Sequence, residues 1–202
     1  MRNYTNLGGA RFSRDRILEI VHPQRSRINE CLDHGVQAMQ ELLLRDPENS
    51  RFMDKSTKAH NTWSFITGHA REIFRGLLGV RWVEVRETNQ RLLIVQDLVT
   101  IKFKKLNARM RASGIHTASF DLFNGQGSLM PDLYGTNLYA GYILDASGTV
   151  ASRKLLVCPS GDKIEWVEEL RAETARREIR DTDQRQRFNL GDEGEEGMAV
   201  AQ

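Results

Sequence analysis

The chain has 202 residues, of which 40% are hydrophobic and 28% are charged, and these proportions are typical of one globular domain with a substantial core. No apolar run approaches the roughly 20 residues of a membrane-spanning helix, and residues 1–13 lack the apolar stretch of a secretory signal, so we expect a cytoplasmic protein without a membrane partner. The formal net charge of +2 is too small to indicate a nucleic-acid partner by itself, so the distribution of charge along the chain is more informative than its sum.

Two segments in the first part of the chain have the apolar spacing of amphipathic helices. Residues 28–43 carry apolar side chains at intervals of three and four, with Pro23 suited to the first turn and Asp46-Pro47 to the end. Residues 63–77 keep one apolar stripe in the same way, and Gly79 is suited to ending that helix. We therefore predict two N-terminal helices that each bury one face.

The segment that follows changes to short runs rich in β-branched and aromatic residues, which are typical of strands. The predicted strands are residues 80–86, 92–96, 99–104, 117–123, 138–144, 150–158 and 164–167. Polar or glycine-containing turns at 87–90, 145–148 and 159–162 favour hairpins between neighbours. Because helices precede strands and do not alternate with them, we predict an α+β fold: two N-terminal amphipathic helices packed on a mainly antiparallel β-meander, with flexible termini.

The remaining segments set the predicted domain boundaries. Residues 1–13 form a basic arm, residues 14–170 form a single α+β domain, and residues 171–202 form a charged helical or disordered tail with an acidic end. Residues 124–136 contain three glycines and Pro131 and are the long internal loop, which either connects strands that are not adjacent or binds a ligand.

A basic stretch begins in the third predicted strand. Val99, Ile101 and Phe103 alternate with polar residues, so Lys102 and Lys104 are expected to project from the face opposite the core. This pattern predicts either a positively charged sheet face that binds a partner or an ordinary solvated face. The predicted binding residues are Lys102, Lys104, Lys105, Arg109 and Arg111.

Several kinds of catalytic or cofactor site are disfavoured by spacing. Neither cysteine has a CxxC partner and no histidine has a second ligand at zinc spacing, so we predict no metal site. No phosphate-binding loop, dinucleotide fingerprint or nucleophile elbow is present, so we predict no cofactor. Cys31 and Cys158 are expected to be reduced and partly buried. His69 and Glu72 lie one turn apart, and a surface hydrogen bond is expected there, with an acid/base pair or half of a metal site as the alternatives.

Two nuclease patterns are the alternatives. Helices that lead into strands carrying lysines resemble the restriction-endonuclease-like fold, which implies Mg²⁺ held by Glu84 and Asp97, with Lys102 and His116 completing the site. The usual second acid before the lysine is missing. Arg27 and His34 loosely resemble a ribonuclease motif of all-helical dimeric domains, and the strand-rich second half of the chain disfavours it.

We therefore predict a non-catalytic binding module that engages a partner protein or a nucleic acid through a basic sheet face and flexible termini. Chains of this size occur in two-component, phage and regulatory systems, and a homodimer is one assembly that the sequence allows. The alternative function is a divergent metal-dependent nuclease of the restriction-endonuclease-like type.

Overall fold

The computed structural model of the protein describes residues 12–85, 90–112, 117–129 and 135–171. The predicted arm and tail lie almost wholly outside these residues, as do His116 and part of the predicted loop 124–136. None of the helices in the described ranges is long and apolar enough to cross a membrane.

Helices form the first part of the fold, as predicted. The helical segments are α1 (Arg14–Val21), a 3-10 turn (His22–Gln24), α2 (Arg25–Arg45), α3 (Pro47–Ser50) and α4 (Lys55–Ile73). Ser13, Asp46 and Asp54 begin α1, α3 and α4, because each side chain accepts a hydrogen bond from a backbone N–H of the first turn. The two long helices α2 and α4 pack against each other, and α2 contains the first predicted apolar stripe. The second predicted stripe, 63–77, extends beyond α4, which ends at Ile73 and not near Gly79.

A six-stranded sheet follows, with the strands in chain order across it. The strands are β1 (Val80–Val85), β2 (Gln90–Val95), β3 (Val99–Lys105), β4 (Thr136–Leu144), β5 (Ala151–Ser160) and β6 (Lys163–Glu169). Every neighbouring pair is antiparallel except β3 and β4, which are parallel. The α+β class and the mainly antiparallel sheet are confirmed.

The predicted strand at residues 117–123 is wrong, because this segment forms the short helix α5 (Ala118–Asn124). The hydroxyl of Thr117 accepts a hydrogen bond from the backbone N–H of Phe120 at 3.2 Å and so begins the helix. Phe120 and Phe123 then fall one turn apart on the same side. A parallel pair of strands needs a crossover connection, and α5 lies within the crossover from β3 to β4.

The sheet has two faces with different cores. The helix-side face packs against α1, α2 and α4, and Ile101, Phe103 and Tyr142 are each at most 1% exposed there. The opposite, α5-side face carries Tyr139, Leu155 and Val157 beneath Phe123 of α5. Each fully buried side chain of this size contributes about 1.5 to 3 kcal/mol relative to an exposed one, so both faces stabilise the sheet.

Candidate binding site

A cavity of about 190 Å³ lies on the α5-side face. Its walls come from the turn at residues 107–112 after β3, from α5, and from the hairpin that joins β5 and β6. The apolar part of the lining includes Ala112, Val157 and Ile164. Cavities with apolar walls and a few convergent polar groups are the usual places for ligands, so this is the candidate site.

The turn at residues 107–112 is held by one asparagine side chain. Oδ1 of Asn107 accepts hydrogen bonds from the backbone N–H groups of Arg109 at 2.9 Å and Arg111 at 3.1 Å. The Asn107 N–H donates in turn to the Arg111 carbonyl at 3.0 Å, and Ala112 pairs with Leu106 to close the loop. Because the turn is fixed through its backbone, the side chains of Arg109 and Arg111 are left exposed to solvent.

The C-terminal end of α5 is tied to the sheet by two amide side chains. Nδ2 of Asn137, on β4, donates to the carbonyls of Phe123 at 3.0 Å and Gly127 at 2.9 Å. Gln126 accepts from the Asn137 N–H at 2.8 Å and donates to the Pro159 carbonyl at 2.6 Å. Asn137 is 3% exposed, and its paired carboxamide fixes the wall of the cavity that α5 provides.

Two further hydrogen bonds join the walls of the cavity. The Tyr139 hydroxyl donates to Oδ1 of Asn124 at 2.8 Å, and the Gly161 N–H donates to the Asn124 carbonyl at 2.8 Å. Burial raises the pKa of Tyr139 well above its ordinary value. The phenol is therefore a neutral hydrogen-bonding group and not a base at physiological pH.

Two exposed cations line the cavity and a third lies beside a lining residue in the 107–112 turn, and we call Arg111, Lys163 and Arg109 the basic rim. Arg111 and Lys163 line the cavity, and none of the three forms an ion pair with another described residue. Asp162 is the acidic residue among the described lining residues, so the mouth of the cavity carries a net positive charge.

Three cations on the helix-side face differ from the rim, because each is paired with a carboxylate. Arg14 and Arg25 pair with Glu168 at 2.8 and 2.7 Å, and Lys154 pairs with Asp33 at 2.6 Å. These pairs hold α1 and α2 against β5 and β6, so their positive charge is used within the fold.

The five predicted binding residues do not form one surface. Arg109 and Arg111 belong to the rim, whereas Lys102 is only 7% exposed, with Nζ 4.0 Å from the centre of the Phe123 ring. Lys104 is half-buried on the same face. Lys105 lies on the helix-side face, because its register partner is Tyr142 of the helix-side core.

Lys102 is a buried amine without a hydrogen bond or ion pair to any other described residue. Burial, and then the nearby charge of Lys104, lowers the pKa of Lys102 to about 7. Burial also lowers the pKa of Lys104. The sheet face that was predicted to be open and basic is therefore partly covered, and Lys102 and Lys104 contribute little positive charge to the protein surface.

Sequence reasoning missed Lys163 as a candidate residue. It follows the tight turn Gly161-Asp162 at the start of β6, and it lines the same cavity as Arg111 because the fold brings the β5–β6 hairpin and the 107–112 turn to one cavity. The signal in the sequence is limited to a lysine directly after a Gly-Asp turn. Nothing in the sequence relates that lysine to the basic stretch.

The alternative nuclease residues are not brought together. Glu84 lies on the helix-side face, 4.0 Å from Arg71 and 3.8 Å from Arg91. Asp97 lies in the β2–β3 turn, where it pairs with Arg81. Lys102 is on the opposite face of the sheet, three residues or roughly 10 Å beyond the start of β3.

Two ligands of one metal ion lie within about 5 Å of each other, so Glu84, Asp97 and Lys102 do not form the Mg²⁺ site that the alternative requires. His116, the fourth residue of that prediction, lies outside the described residues. No group of three or more potential ligands that could hold a metal ion occurs in the part of the chain that the structure describes.

The remaining candidates have local structural partners. His69 bonds Glu30 at 3.1 Å, where Glu72 was predicted, and its ring stacks on His34 at 4.1 Å between centroids. Both cysteines are buried more completely than predicted, at 0% and 2% exposure, and burial raises the pKa of the Cys31 thiol to about 12. That thiol is protonated at neutral pH and is not a nucleophile.

Comparisons of the chain with protein-family models, with curated proteins and with solved structures found no match. Function is therefore inferred from the residues of this chain alone.

Proposed function

We propose that the protein is a non-catalytic binding module that holds nucleic acid at the basic rim. The observation that carries the proposal is that Arg111 and Lys163 line one cavity, with Arg109 exposed in the same turn as Arg111, and that none of the three forms an ion pair with another described residue. Phosphate groups supply the missing negative charge, and arginine binds them with two parallel hydrogen bonds. The arginines of residues 1–13, outside the described ranges, are proposed to add phosphate contacts.

The surroundings of the rim favour nucleic acid over a protein partner. The centre of a protein–protein interface is apolar and depleted of charge. The large hydrophobic side chains that are exposed among the described residues lie elsewhere, at the end of α2, after α3, before β1 and before β5. They are Leu44, Phe52, Leu78 and Val150. The rim itself presents cations and amides.

The chemistry of the cavity favours holding a ligand over transforming it. Tyr139 is held neutral by its raised pKa, and an arginine side chain such as that of Arg111 offers hydrogen-bond donors but no acceptor. Lys102, which has a pKa near neutrality, does not line the cavity. The wall therefore supplies hydrogen-bond donors and fixed positive charge, which bind a phosphate but do not transfer a proton.

The proposal is tested by reversing the charge of the rim. The variant Arg109→Glu/Arg111→Glu/Lys163→Glu is compared with the wild type by fluorescence anisotropy on labelled single-stranded and duplex oligonucleotides at low salt. We expect a loss of affinity on the order of a hundredfold, because three phosphate contacts become repulsive.

A matched control separates the rim from the overall charge. Arg45, Lys55 and Arg75 are also exposed and form no ion pair with other described residues, but they do not line the cavity. The variant Arg45→Glu/Lys55→Glu/Arg75→Glu changes the net charge equally and is expected to keep most of the affinity. An equal loss in both variants, or no binding by the wild type, contradicts the proposal.

A further inference from the structure

We propose that the cavity beside the basic rim takes one unpaired nucleotide, with its phosphate at Arg111 and Lys163 and its base against the apolar wall. This inference rests on the proposed function and names the form of nucleic acid that the site selects. The same chemistry is offered by a free nucleoside monophosphate and by an unpaired residue of a strand, and the test below distinguishes these two sources.

The size of the cavity suits a single ring system. A volume of about 190 Å³ corresponds to roughly six water molecules at liquid density, and a cavity of about 150 Å³ is enough for one benzene ring. The cavity here is smaller than the pockets that enclose drug-sized ligands. One base therefore fits, whereas a stacked pair of bases does not.

The wall has donors that match the edge of a base. The carboxamide of Asn107 uses its oxygen to hold the turn, and that of Asn124 uses its oxygen to accept from Tyr139. Neither NH₂ group donates to another described residue, and both residues line the cavity. Ring nitrogens and carbonyl oxygens of bases are acceptors for such donors, and Ala112, Val157 and Ile164 provide an apolar surface for the ring.

The mouth of the cavity determines which phosphate fits. Arg111 and Lys163 both line it and attract one phosphate group. Asp162 also lines it, and its carboxylate repels additional negative charge. A monophosphate is therefore favoured over a di- or triphosphate of the same nucleoside.

A base within a duplex cannot enter this cavity without leaving its pair and its stack. That step costs free energy for a paired base and much less for one that is already unpaired. The rim alone contacts phosphates of any strand, so it does not discriminate between the two. The cavity is what selects the single strand.

The test uses a substitution that fills the cavity and leaves the three cations of the basic rim unchanged. Ile164 is half-buried in the lining, so Ile164→Trp occupies the space without changing any charge, and Ile164→Leu is the matched control of similar volume. Wild type and both variants are titrated with a labelled single strand, with its duplex, and with unlabelled nucleoside monophosphate as competitor.

We expect the wild type and Ile164→Leu to prefer the single strand over the duplex by about tenfold, and Ile164→Trp to lose this preference while keeping its duplex affinity within about twofold. Retained duplex binding by Ile164→Trp also shows that the variant folds. If Ile164→Trp does not fold, competition by the monophosphate on the wild type is the independent measurement.

If free monophosphate displaces the single strand, the cavity is a nucleotide site. If the protein prefers the single strand over the duplex but free monophosphate does not displace it, the ligand is an unpaired residue within a strand. The inference is overturned if the wild type binds the single strand and the duplex with equal affinity and the monophosphate does not compete with either. In that event charge reversal at the rim still abolishes binding if the proposed function holds, so the two failures are distinguishable.

Discussion

Lys102 is much more buried than the alternation of apolar and polar residues in β3 predicts. The alternation of β3 places it correctly on the face away from the helices, but α5 and Phe123 then cover it, and it is 7% exposed. An ammonium group that loses water without gaining an ion pair is destabilised, so folding favours the neutral amine. This penalty is a property of the fold and does not require a ligand.

The lowered pKa of Lys102 predicts a pH dependence of stability. Between about pH 7, the folded-state pKa, and the higher pKa of the unfolded chain, the unfolded state binds a proton that the folded state does not. The free energy of unfolding therefore rises with pH in this window, and the penalty is complete below it. Lys102→Met is expected to stabilise the protein near pH 7 and to remove up to about 1.4 kcal/mol per pH unit of slope.

The measurement is urea unfolding of the wild type and Lys102→Met at several pH values from about 7 to 8.5, and the difference between the two proteins is compared, because cysteines of the unfolded chain, with an ordinary pKa of about 8.5, ionise equally in both. Lys105→Met is the control, because it removes the same charge from the same strand on the other face. Equal effects of the two substitutions would contradict the account of Lys102.

At the scale of elements, the crossing of α2 and α4 depends on one glycine. A Cβ at Gly35 would clash with the Ile66 side chain, whereas a Cβ at Gly68 of α4 would meet nothing within 4 Å. Gly35→Ala is expected to lower the free energy of unfolding by about 1 to 3 kcal/mol through overpacking. Gly68→Ala is expected to raise it by up to about 1 kcal/mol through helix propensity, and thermal unfolding of both variants checks the pair.

The two glycines serve as each other's control, since the change in backbone freedom and side-chain volume is the same at both positions. If the two substitutions shift the midpoint of unfolding in the same direction, the close approach of α2 and α4 at Gly35 does not limit stability.

Helices and strands with a regular spacing of apolar residues could be predicted from the sequence. The segment in which helix-forming and strand-forming features conflict could not. The stripes of α2 and α4 and the alternation of β3 are long enough to specify their structure. In residues 117–123, strand-forming residues compete with a helix of one to two turns whose signals are the Thr117 cap and the spacing of Phe120 and Phe123. The parallel pairing of β3 and β4 depends on tertiary packing and cannot be deduced from the sequence of either strand alone.

At the scale of the whole molecule, the cations that join helices to the sheet contrast with the cations at the cavity. On the helix-side face, pairs such as Arg25 with Glu168 and Lys154 with Asp33 hold helices to strands. On the α5-side face, Arg111 and Lys163 gather at the cavity without such partners among the described residues. The basic stretch of the sequence predicted Arg109 and Arg111 as part of this site. Their position at a cavity and the presence of Lys163 there depend on the order of the strands in the sheet, which could not be read from the sequence.

The salt dependence of binding tests the central claim that the basic rim holds phosphates. Three contacts on a single strand give a slope of log affinity against log salt of about −2, so affinity falls roughly 20-fold between about 50 and 200 mM salt. Arg111→Ala is expected to make the slope shallower by about 0.7, the share of one contact. A slope near zero for the wild type, or an unchanged slope after Arg111→Ala, would contradict the account.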